Sequence, residues 1–64
     1  MTNTQREILS KLIIYCDYSN YDLLSYTIGS GICEIRDTAR VIDKYGATYN
    51  LAYDFINKDW SYKQ

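Results

Sequence analysis

"KYGATYNLAYDF", residues 44–55, is the stretch on which the fold turns. Read with a helical period, one helix closes on Tyr45 and Gly46 stops it as a left-handed cap. Thr48 then caps a new helix whose Leu51, Ala52 and Phe55 face inward and which runs to about Trp60. Upstream, Ile32, Ile35, Ala39 and Ile42 recur at steps of three, four and three from Ser30, a narrow apolar stripe that needs another helix to cover it.

The same period reaches the N-terminus. Thr4-Gln5-Arg6-Glu7 reads as a capping box that opens a first helix. Ile8, Leu9, Leu12, Ile13 and Cys16 give that helix one apolar stripe, widened by Ile14 and Tyr15. "DYSNYD" interrupts the pattern, and Ser19 or Asn20 can cap a short second helix with Leu23, Leu24 and Ile28 before "GSG" at 29–31. "YDLLSYTI" also suits a short strand, one with nothing obvious to pair with. The expectation is an all-α fold in a single domain, 1–64: a compact small bundle of three to four short helices, with a helix-turn-helix-like corner near Gly46.

Composition bounds the function. A 64-residue chain buries only about 60% of the surface its unfolded form exposes, so its core is thin. An apolar fraction of 47% with eight tyrosines and one tryptophan is too hydrophobic for a disordered tail. Seven basic residues against eight acidic ones leave a formal charge of −1, with no excess of positive charge to draw the chain to phosphate or anionic lipid. No secretory signal pattern and no apolar run of membrane-spanning length is present, which points to a cytoplasmic protein with no membrane partner. In that compartment Cys16 and Cys33, which form no CxxC pair, are expected as thiols. There is no histidine, no metal-ligand spacing, no long Gly-rich phosphate loop and no cysteine beside a recognisable base. The expectation is a protein that is not an enzyme and uses neither metal nor cofactor.

Residues 38–55 resemble a helix-turn-helix, with Gly46 in the turn and Thr48 capping the second helix. The resemblance implies a DNA-binding transcriptional regulator, and this is the alternative function. The exposed positions of the would-be recognition helix are Tyr49, Asn50, Tyr53, Asp54 and Asn57, with Lys58 the only cation among them. Lacking an arginine for guanine, that helix has poor readout chemistry, so nucleic acid is expected to bind weakly if at all. Arg36, Arg40 and Lys44 step by four along helix 3 and form a basic ridge, read either as a phosphate-contacting surface or as a solvated face balanced by Asp37 and Asp43.

The strongest binding feature is a second non-polar strip on helix 4, made by Tyr49, Tyr53, Ile56 and Trp60 with Asp54 beside it. Tyrosine and tryptophan offer stiff contact area with a polar tip and are enriched in interface hot spots. The same strip could instead close the core on a second side. Tyr15, Tyr18, Tyr21 and Tyr26, interleaved with Asp17 and Asp22, make a second tyrosine cluster. The functional expectation is a small non-enzymatic binding protein that engages a protein partner through a Tyr/Trp-rich, mildly acidic surface. Its Tyr/Asn/Asp/Ile-rich make-up suits a phage or mobile-element inhibitor of a host enzyme or defence complex. A homodimer or homo-oligomeric structural module is the second alternative.

Overall fold

The computed structural model describes residues 2–29 and 36–63, and they form one helix followed by four strands. Helix α1 spans Asn3–Ser19, and the strands are β1 (Asp22–Thr27), β2 (Thr38–Ile42), β3 (Thr48–Asp54) and β4 (Asp59–Tyr62). The strands make an antiparallel sheet in the order β1-β2-β3-β4. The protein is therefore α+β, and this overturns the all-α bundle and its helix-turn-helix corner.

α1 is the element the helical period finds, although its cap lies two residues earlier. The Thr2 hydroxyl accepts from the Gln5 amide and the Gln5 side chain accepts from the Thr2 amide, so the capping box is Thr2–Gln5 rather than Thr4–Glu7. Ile8, Leu12 and Cys16 are buried, Leu9 is partly so, and Ile13 and Ile14 face solvent. The helix ends where Asn20 adopts a left-handed conformation, φ 58°, and its amide reaches back to the Asp17 and Cys16 carbonyls.

Residues expected in helix 4 alternate instead with a period of two. On β3, Tyr49, Leu51 and Tyr53 point to the helix side, while Thr48, Asn50, Ala52 and Asp54 point away. Ala39 and Val41 of β2 and Trp60 of β4 join the same inner layer. The register sets Ala39 opposite Leu51, Val41 opposite Tyr49, and Tyr53 opposite Trp60. Ile8, Leu12 and Cys16 complete the core against them. β1 is almost wholly exposed and is bulged between Leu23 and Ser25, so the segment that could be helix or strand is an edge strand, paired with β2. Ile32, Cys33 and Ile35 of the expected third helix lie outside the described residues.

The residue that suggested a helix stop makes a hairpin. Gly46 does take a left-handed conformation, φ 88°, but within a turn organised by Asp43, whose carboxylate accepts from the Tyr45 and Ala47 amides at 2.9 Å each. Asp54 plays the same part between β3 and β4, accepting from the Ile56 and Asn57 amides at 2.8 and 3.3 Å. At 2% exposure, Asp37 holds the described ends of the β1–β2 connection: its carboxylate accepts from the Tyr26 hydroxyl and, at 2.7 Å, from the Gly29 amide. No helix among the described residues is long and apolar enough to cross a membrane.

Candidate binding surface

Tyrosines from four separate elements meet at one end of the sheet. α1 supplies Tyr15, the reversal after Asn20 supplies Tyr21, β3 supplies Tyr49 and β4 supplies Tyr62. Neighbouring ring centroids lie 6.2 Å apart for Tyr15–Tyr21, 5.4 Å for Tyr21–Tyr49, 5.8 Å for Tyr49–Tyr62 and 6.4 Å for Tyr62–Tyr15, which closes a ring of four. These tilted and edge-on contacts are the arrangements aromatic quadrupoles favour.

The polar tips are tied together at the rim. The Tyr21 and Tyr62 hydroxyls share a hydrogen bond of 2.6 Å, and the Tyr49 hydroxyl donates to Asp43 at 3.1 Å. The hydrogen bond with Tyr21, and after it the nearby Tyr15 phenol, hold the Tyr62 phenol below its usual range. Burial, reinforced by the bond to Tyr62, pushes Tyr15 up to about 12. The surroundings are mildly acidic: Asp59 acts on Tyr15, Asp43 on Tyr49, and Asp17 and Asp22 on the adjacent Cys16. Burial, followed by those two aspartates, raises the Cys16 thiol, which keeps it protonated and unreactive.

Tyr15 also walls a groove of about 350 Å³, shared with Lys11, Ile14, Tyr18, Asn57, Lys58 and Asp59. Lys11 reaches across its floor to donate to the Lys58 carbonyl at 2.5 Å. On its lip stand Ile14, 66% exposed, and Tyr18, 91% exposed, one helical turn apart. Ile56, 88% exposed, projects from the nearby β3–β4 turn.

The expected strip does not exist as one face. Tyr53 and Trp60 are 4% and 3% exposed, paired across β3 and β4 in the core, so neither can offer contact area while the protein is folded. Tyr49 joins the tyrosine ring, Ile56 sits in the turn, and Asp54 spends its carboxylate on that turn. Tyr18 and Tyr21 do reach the same end of the molecule as Tyr49, whereas Tyr26 packs on Trp60 and binds Asp37. Arg36 and Arg40 lie on the far side of the sheet, and Lys44 has left them for the hairpin turn, where its ammonium covers the Tyr45 ring at 5.2 Å. Tyr62 and Ile14 belong to this surface although the helical period does not single them out for it. The step of two from Trp60 to Tyr62 was the available signal. Among the described residues no three histidine, cysteine or acidic groups converge as a metal site would require.

The fold and this surface define a small two-layer α+β protein with a tyrosine-walled end. No family model, curated protein or solved structure matches the chain.

Proposed function

We propose that the protein is a non-enzymatic cytoplasmic binding protein that docks on a protein partner through its tyrosine-walled end, in the manner of a phage or mobile-element inhibitor of a host enzyme or defence complex. The observation that carries this reading is the juxtaposition of the exposed Ile14 and Tyr18 with a groove and a closed ring of four tyrosines. Exposed apolar side chains scattered singly need no explanation, but grouped around a concave wall they mark a docking site. The ring adds pre-organised aromatic area, whose ordering cost is met on folding rather than on binding. Asp17, Asp22, Asp43 and Asp59 around it favour a partner with a basic rim.

The test is quantitative capture from host lysate, followed by titration of the captured protein with purified wild-type chain and with an Ile14→Ala/Tyr18→Ala variant. Each hot-spot residue is expected to contribute about 2 kcal/mol, so affinity should fall more than about tenfold with circular dichroism unchanged. Equal affinity of the variant, or capture that nuclease abolishes, overturns the proposal.

A further inference from the structure

We propose that the opposite, helix-free face of the sheet is a second binding surface, built for the phosphate backbone of a nucleic acid. The inference is independent of the tyrosine-walled end, because alternate residues of the same strands build the two faces. Arg40 pairs with Ser25 on one side and Asn50 on the other, and the Lys63 amide donates to the Asn50 carbonyl at 2.8 Å. These residues form one rank across the sheet. The next rank is short: Thr27, Thr38, Ala52 and Ser61 are paired in turn.

The difference in side-chain length makes a trough. Ala52 is its floor, 3% exposed although it points away from the helix. On one side a hollow of about 440 Å³ lies between Arg36, Lys63, Ser61, Tyr62 and Ala52. A smaller hollow of about 140 Å³ adjoins it, bounded by Arg40, Asn50, Thr38 and the same Lys63. Among the described residues the ion pair present is Lys11–Glu7, and Arg36, Arg40 and Lys63 form none with another described residue. Among the described residues, neither hollow is lined by an acid. Asp54 feels Arg36 but has its oxygens engaged by Ile56 and Asn57, and Asp22 and Asp59 sit at strand starts.

The chemistry of the trough selects its occupant. Arginine, lysine, threonine, serine and asparagine side chains are the usual phosphate and sugar contacts. A protein interface needs aromatic or aliphatic anchors that reach the surface; beside the flank of Tyr62 the apolar lining is Ala39, Leu51 and Ala52, all buried in the sheet. Among the described residues no helix or ribbon projects from this face into a groove, so the binding proposed is independent of sequence.

The experiment is fluorescence anisotropy with labelled mixed-sequence single-stranded and duplex oligonucleotides, titrated over a series of salt concentrations. Three phosphate contacts give a slope of log affinity against log salt of about −2 for a single strand and about −2.7 for a duplex. Arg40→Gln and Lys63→Gln should each flatten the slope by about 0.7 to 0.9 and weaken binding several-fold, with circular dichroism unchanged. Absence of binding at about 50 mM salt and submillimolar protein, or slopes that neither variant alters, overturns the proposal. Displacement by polyglutamate at equal charge concentration, as effective as by unlabelled oligonucleotide, also overturns it and assigns the face to acidic protein.

Discussion

The Trp60 indole Nε1 donates to the Ile8 carbonyl at 2.9 Å, joining β4 to α1 across 52 residues. The donor is buried, and the indole also packs against Tyr53 and Tyr26 at centroid distances of 5.8 and 6.0 Å. One side chain therefore seals the helix to the sheet by both packing and a hydrogen bond.

Removing the two contributions separately should give different losses. Trp60→Ala should cost about 3 to 5 kcal/mol through the cavity, a large share of the stability of so small a domain. Trp60→Phe keeps most of the volume and should cost about 1 to 2 kcal/mol. Urea unfolding followed by circular dichroism measures both; a Trp60→Phe loss near zero would mean that the hydrogen bond contributes nothing, and equal losses would mean that the packing does not.

Asp37 is predicted to anchor the β1–β2 connection. Asp37→Ala leaves the Gly29 amide and the Tyr26 hydroxyl without their acceptor and should cost about 2 to 4 kcal/mol. Tyr26→Phe should cost about 1 kcal/mol. A double-mutant cycle should show positive coupling, because the two changes remove one shared bond.

The hairpin aspartates set an acid limit. Hydrogen bonds from the Ala47 amide, then those from Tyr45, Tyr49 and Gly46, hold Asp43 below its ordinary 3.8, and the Ile56 amide with Asn57 does the same for Asp54. A carboxylate depressed in the folded state binds its proton more readily when unfolded, so its stabilisation is full above the ordinary value and is lost as pH falls through the folded one. Thermal midpoints should therefore drop below about pH 4, and Asp43→Asn should flatten that drop. The alkaline limit has the opposite sign. Tyr15, raised by burial, and Tyr26, raised by burial and then by Asp37, contribute stability that is complete below the ordinary phenol value of 10.0 and declines above it.

Left-handed positions offer a further comparison. A side chain at Gly46 would meet no neighbouring atom within 4 Å, so Gly46→Ala should cost only the backbone strain, about 1 to 2 kcal/mol. Lys58 already bears that strain at φ 53°, and Lys58→Gly should recover about 0.5 to 1 kcal/mol. Thermal unfolding of both variants checks the signs.

Helix α1 was legible in the sequence because Ile8, Leu9, Leu12 and Cys16 recur at mixed steps of one, three and four over a capped segment, which a strand's period of two does not give. The rest was not, since a step of four satisfies a helix and a strand alike. Tyr49 and Tyr53 share a face in either case, as do Arg36 and Arg40. What separates the two is the residue halfway between. Leu51 and Tyr53 are buried on the face that carries the half-buried Tyr49, which only a strand allows, but Ala52 is apolar and faces away, so the alternation is blurred there. The density of tyrosine, threonine and valine in β2 and β3 is the strand preference that should have decided the matter. Gly46 could not arbitrate, because a helix cap and a hairpin turn ask it for the same left-handed backbone. The tyrosine-walled end was half legible: Tyr18, Tyr21 and Tyr49 were named, but only the sheet brings Tyr62 to them.

The up-and-down order of the sheet has a consequence for how the chain assembles. Each strand pairs with its neighbour in sequence, so the β2–β3 and β3–β4 hairpins can close locally and quickly. The helix, although first in the chain, docks mainly on the last strand, and closing that long loop costs more entropy than closing either hairpin. Until it docks, Val41, Leu51, Tyr53 and Trp60 lie bare on one side of a finished sheet. Any chain whose hairpins close before α1 lands on Trp60 exposes a sticky face, and the speed of that landing sets how long neighbouring chains can reach it.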